Sequence, residues 1–131
     1  MIITVIDTET TGLDRSKHEI IEIAMISYLV SGEGERFILK KLNRKIKPRH
    51  VETASKMALS INHYSEEAWA DSVDISEVLP EVKRIIDESE ILLGQNLIFD
   101  LRYISDAFED NGHEVPDYPP YTDTKALADV L

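Results

Sequence analysis

Two acidic residues, Asp7 and Glu9, stand one residue apart just after an apolar run, Met1-Ile2-Ile3-Thr4-Val5-Ile6. The run reads as a buried strand entered directly from the N-terminus. Side chains two apart on a strand share a face. A pleat that continues through Glu9 therefore presents both carboxylates on one side and Thr8 on the other. Like charges so placed repel unless a cation lies between them, and hard divalent ions such as Mg2+ take oxygen ligands. The pair is a candidate metal site; a solvated strand end before a turn at Gly12 explains a bare Asp-x-Glu as well. Asp100 is the next candidate. It falls in the first turns of a helix that Asn96 is placed to cap, where the positive end of the helix dipole favours a carboxylate. Ligands collect at the carboxyl ends of strands in α/β sheets, which puts Asp100 beside the end of the first strand. A simple first-turn helix stabiliser is the alternative.

The elements that must position these acids follow from periodicity. Ile20 to Val30 (IIEIAMISYLV) is apolar on both faces, as a central strand is. Ser31 to Glu35 is a turn, and Arg36 to about Ile46 is a third strand, so the three make an antiparallel meander. A short helix is expected from Val51 to Leu59, and one or two further helical turns from Ser65 to Ala70. Ser76 to Glu88 is the clearest helix, with Val78, Leu79, Val82, Ile85 and Ile86 in one apolar stripe. Ile91 to Leu93 is a short buried strand. The helix from Leu97 to about Asp110 follows, with Leu97, Leu101, Ile104 and Phe108 on one face. Tyr121 to Asp123 is a last strand, and Thr124 begins a last helix. Strands and helices in this order make an α/β domain with a mixed sheet covered by helices.

Composition narrows the class. At 131 residues, 43% hydrophobic and 30% charged, the chain is one soluble globular domain. No apolar run approaches the ~20 residues a membrane span requires, no signal peptide precedes the first strand, and the chain has no cysteine. A cytoplasmic protein without disulfides or thiolate metal sites is expected. The net charge of −11 argues against holding nucleic acid by general electrostatics. Yet seven of the fourteen Lys and Arg residues lie between Arg36 and Arg49, a window free of Asp and Glu. That strip is either a phosphate-contacting surface or an edge strand whose lysines keep neighbouring strands from pairing with it.

The string Val5-Ile6-Asp7-Thr8-Glu9-Thr10-Thr11-Gly12-Leu13 resembles the first motif of the DnaQ-like (DEDD) 3′→5′ exonucleases, a family that includes polymerase proofreading subunits and several RNases. LLGQNLIFDLRYI resembles the family's second motif, in which an Asn and a Phe precede an Asp; here these are Asn96, Phe99 and Asp100. ALSIN, with Ile61 and Asn62, resembles the stretch near the substrate channel, and YTDTKALAD the segment before the third motif. The resemblance implies a ribonuclease H-like fold and two divalent cations, Mg2+ or Mn2+, held by Asp7, Glu9 and Asp100. It implies 3′ ends of single-stranded DNA or RNA as substrate, nucleoside monophosphates as product and a DNA polymerase subunit as a partner. Thr10, Gly12, Leu13, Asn62, Asn96 and Phe99 would contact the substrate, Leu13 as a wedge against the terminal base. The small Thr10 leans toward the proofreading type and toward DNA.

The family's third motif, a final-helix Asp preceded by a His five residues or a Tyr four residues earlier, has no match. No His in the chain has an Asp five residues on, and no Tyr has one four residues on. Against the family's pattern, residues 1–131 are a single exonuclease domain that is incomplete at its C-terminus and lacks the last helix, with weak activity expected of this stretch alone. Two other readings stand beside it. One is a non-catalytic remnant that binds nucleic acid or a polymerase; the other is a metal-dependent phosphatase built on Asp7 and Glu9.

Overall fold

A computed structural model describes residues 1–124. Its centre is β1 (Ile2–Thr10), which pairs antiparallel with β2 (Ile20–Val30) on one side and parallel with β4 (Ile91–Gly94) on the other. β3 (Arg36–Lys45) extends the antiparallel side, and β5 (Tyr121–Asp123) pairs parallel with β4. The sheet order is β3-β2-β1-β4-β5. This is the expected mixed α/β sheet, an antiparallel meander continued by parallel strands. β3 lies at an edge, as the protective role of its lysines requires. The last helix expected after Thr124 falls outside the described residues.

Helices α2 (Ile75–Glu88) and α3 (Leu97–Asp110) supply the core. The apolar stripe of α2 is fully buried, and α3 adds Leu97, Leu101, Ile104 and Phe108. They cluster with Ile6, Ile23, Met25, Leu42 and Leu92 from the sheet face opposite Asp7 and Glu9. α2 begins at Ile75, one residue earlier than its apolar pattern indicates, because Asp74 caps it by accepting from Ser76 N at 3.1 Å. Arg49 grips the same carboxyl at 2.8 and 3.0 Å and holds it well below the usual carboxylate range.

Two expected helices come out differently. Val51 to Leu59 is broken into a single 3-10 turn (Val51–Thr53) and α1 (Lys56–Ile61). The break lies at Ser55, whose side chain caps α1 through Ala58 N and whose own N–H is spent on Thr11 O at 2.7 Å. Ser65 to Ala70 is a turn, not a helix. Trp69 fixes it by sinking to 5% exposure and donating its indole N–H to Ile21 O at 2.9 Å, so tertiary packing overrides local periodicity. Among the described residues, no helix is long and apolar enough to cross a membrane.

A buried polar relay ties β1 to its neighbours. Thr4, fully buried, pairs its hydroxyl with Ser27 of β2 at 2.7 Å and with Ser89, after α2, at 2.6 Å; Ser89 in turn donates to Ile85 O. Valine has nearly the shape of threonine but no hydroxyl, so Thr4→Val strands polar groups in the core without opening a cavity. We expect it to lower the unfolding free energy by about 1–3 kcal/mol in urea titration. An unchanged midpoint would show that the relay contributes nothing.

Candidate active site

The site begins where β4 leaves β1. Their ladder covers Ile3 to Val5 of β1 and stops there. β4 then turns at Gly94, where a Cβ would lie 2.8 Å from Ile6 O and 2.9 Å from Leu97 Cδ1, so a side chain at this position would force strand and helix apart. Asn96 completes the turn in the left-handed region at φ 56°, a conformation asparagine tolerates better than most residues. Asn96 stands at the expected cap position, but its side chain makes no capping bond. The left-handed backbone turns it away from the helix, and the main-chain N–H instead donates to Asp123 Oδ1 at 2.9 Å.

This turn brings α3 back onto the vacated edge of β1. There Asp100, only 3% exposed, accepts from Thr8 N at 3.1 Å and from the Thr8 hydroxyl. The carboxylate takes the place of the next ladder partner. The Thr8 side chain points toward the core, and Asp7 and Glu9 stand on the opposite, open face, Asp7 exposed and Glu9 half-buried. The alternation expected from sequence is present.

The electrostatics are those of acids crowded without a counter-ion. Burial pushes the Asp100 carboxyl up to about 6; Asp7 and Glu9 push the same way, and the bonds from Thr8 oppose them. Glu9 is also raised, first by burial, then by Asp7 and Glu22. Asp7, Glu9 and Asp100 thus lie within range of mutual repulsion. Among the described residues, however, no three acidic, His or Cys side chains already gather tightly enough to hold an ion. The bond to Thr8 accounts for this on the Asp100 side, because it draws that carboxylate to the strand edge. The donor set, all oxygen and net negative, fits a hard divalent cation.

The loop after β1 is braced from several directions. The Gly12 carbonyl accepts from Thr10 Oγ1 at 2.7 Å and from Tyr103 Oη at 2.8 Å, and Asn62 donates to Thr10 O at 3.0 Å. Gly12 packs so closely under His18 that a Cβ would fall 2.2 Å from its Nδ1. His18 Nδ1 accepts from Asp14 N at 2.9 Å, so Nε2 carries the proton and donates to Thr53 O at 3.1 Å. Leu13 projects from this braced loop with 85% of its surface exposed. Phe99, partly buried, lies against Tyr103 with ring centroids 4.7 Å apart. Asn62 therefore braces Thr10, and Asn96 shapes the turn into α3. Tyr103 and His18 were not among the sequence candidates; the only local signal was the placement of Tyr103 one helical turn after Phe99.

A cleft of about 420 Å3 lies behind this loop, between Arg15, Arg49 and the outer half of α3, and none of the three acids lines it. Its two arginines are already paired: Arg15 binds Asp106 at 2.7 and 2.8 Å, and Arg49 binds Asp74 and Asn111. The candidate chemistry lies on the open sheet face instead.

A mixed five-stranded sheet with paired acids at the end of its central strand, and a third acid on the helix after β4, is of the ribonuclease H-like class. The comparisons agree. The sequence matches the RNase T exonuclease family over residues 4–131, and the chain belongs to that family, among the DnaQ-like 3′–5′ exonucleases. It is similar to the PolC-type DNA polymerase III of Staphylococcus aureus and of Staphylococcus haemolyticus, each 32% identical over 105 residues, or 80% of this chain. It spans 7% of the length of those polymerases. Among solved structures, Exonuclease I of E. coli in complex with a dT13 oligonucleotide superposes with a TM-score of 0.81 over 98% of this chain and 29% of that one, at 14% identity. The same fold in an ExoI/SSB-Ct complex gives 0.82 at the same coverage and identity.

Asparagine at position 100 keeps an oxygen for Thr8 and removes the buried charge. In EDTA at pH 7, Asp100→Asn is expected to stabilise the protein by about 1–3 kcal/mol, since one pKa unit is worth roughly 1.4 kcal/mol. Because the carboxyl is raised on folding, its contribution is fully present below the unfolded value of 3.8 and is lost as pH rises through about 6. Thermal melts from pH 4 to 7 should show that decline in the parent and a flatter profile in Asp100→Asn. A variant less stable than the parent at pH 7 would contradict the repulsion.

Proposed function

We propose that the chain is the exonuclease domain of a metal-dependent 3′→5′ exonuclease that releases nucleoside monophosphates from single-stranded ends. The observation that supports it is the grouping of Asp7, Glu9 and Asp100 at one strand end, where Glu9 and Asp100 are each raised first by burial and then by acidic neighbours. Asp7, Glu9 and Asp100 would hold two divalent cations, Mg2+ or Mn2+, which when bound supply charge neutralisation at the scissile phosphate and an acidified water.

The chain's own residues do the rest. Thr8 fixes the Asp100 carboxylate to the frame of β1. Thr10 and Gly12 bring backbone close to the terminal nucleotide, in a loop that Tyr103, Asn62 and His18 keep from shifting. Leu13 offers an exposed apolar edge to wedge under the terminal base, and Phe99 an apolar wall. Single-stranded ends suit such a site because their bases leave the stack cheaply. DNA rather than RNA is the proposed substrate, supported by the small Thr10 and by the likeness to PolC-type DNA polymerase III. That likeness also supports work beside a polymerase.

The test is a 5′-labelled single-stranded oligonucleotide incubated with the chain and Mn2+. A weak ladder shortening from the 3′ end, absent in EDTA, is expected of this stretch. Asp7→Ala should slow it at least about 10-fold, because losing a ligand costs no less than losing an outer-shell partner. Tight binding of the oligonucleotide with no shortening under any metal would favour the non-catalytic alternative.

A further inference from the structure

We infer that Glu22 is a positioning residue of this site, a further carboxylate beside Glu9 that anchors through water the cation Glu9 would hold. The inference rests on the metal-dependent function proposed above.

The register carries it. Glu22 of β2 stands directly opposite Glu9 of β1, and Ala24 opposite Asp7. Opposed residues of an antiparallel pair share a face, with Cβ atoms roughly 4.5–5.5 Å apart, so Asp7, Glu9 and Glu22 all stand on the open side of the sheet. Like charges directly opposite are destabilising.

The fold carries a counter-ion one strand further on and withholds it. Lys45 of β3 is the register partner of Glu22. Its ammonium instead lies 4.5 Å from the Trp69 ring centroid and 3.5 Å from Ala68 O. Among the described residues, the Glu22 carboxylate makes no ion pair and no hydrogen bond. A half-buried glutamate in the interior of a sheet gains nothing structurally from that state. Its setting is wet, because Glu22 borders an open groove of about 440 Å3 with Asn43, Lys45 and Asp71. Mg2+ keeps several of its waters when bound to protein, and outer-shell carboxylates that hold such waters tune affinity. Glu22 is placed for that task, on the Glu9 side of the cluster and away from Asp100.

Mn2+ titration followed by electron paramagnetic resonance tests this on the full chain, with Asp7→Asn, Glu22→Gln and Glu22→Asp compared with the parent and melting temperatures taken in EDTA. Glu22→Gln is expected to weaken Mn2+ binding about 10-fold with the metal-free melting temperature unchanged or raised, and Glu22→Asp to recover part of the loss. If Asp7→Asn loses Mn2+ while Glu22→Gln binds like the parent, the role of Glu22 is overturned and the metal-dependent function stands. Should Glu22→Gln lower the metal-free melting temperature by several degrees, Glu22 is structural and the inference likewise fails. Parent protein that binds no Mn2+, or binds it equally well with Asn at position 7, sinks both.

Discussion

The structure turns on one exchange at the edge of β1. Where the parallel ladder to β4 ends, the Thr8 N–H would face solvent or an empty core edge, and Asp100 takes it. A buried carboxylate among other acids is an expensive partner. Two bonds from Thr8 and a position in the first turn of α3, where the helix dipole is positive, offset the cost only in part. The remainder persists as the raised affinity of Asp100 for a proton. The same deficit suits a divalent cation, which can replace the proton and bring a larger charge. Local instability and the proposed affinity for metal would then be one property measured under two conditions.

The rest of the fold secures that exchange. Gly94 permits strand and helix to approach, and Asn96 accepts the left-handed turn between them. Asp123 at the end of β5 holds the turn from outside. On the other side of β1, the Gly12 carbonyl receives two hydroxyls and the His18 ring covers Gly12, so the exposed Leu13 projects from a fixed base. Such a loop presents an apolar edge without spending binding energy on ordering itself first.

Much of this was legible in the residues. The meander, the stripe of α2 and the sharing of one face by Asp7 and Glu9 are local periodicities, and local periodicity survives folding when burial reinforces it. The turn at Ser65 to Ala70 departed from its pattern because the Trp69 indole is claimed by a carbonyl 48 residues away, at Ile21. Ser55 divided an expected helix because its N–H is claimed by Thr11. The bracing by Tyr103 and His18 and the apposition of Glu22 to Glu9 were hidden for a related reason. Each depends on register or on contact between distant segments, and neither appears in the spacing of residues along the chain.

Charge follows the same division between what is near in sequence and what is near in space. The seven cations from Arg36 to Arg49 are a single strip in the sequence, set against a remainder of −18 (7 bases less 25 acids). Folding disperses them. Arg49 serves the cap of α2 at Asp74, Lys40 lies 3.8 Å from Glu88, and Lys45 rests against Trp69. What remains on β3 guards the sheet edge, and none of the seven forms an ion pair with Asp7, Glu9 or Asp100 among the described residues. A lysine in the acidic cluster would have quieted its repulsion and stabilised the fold. Its ammonium would then have occupied the place proposed for a metal, so the placement of cations away from the acids matters to that proposal as much as the acids themselves do.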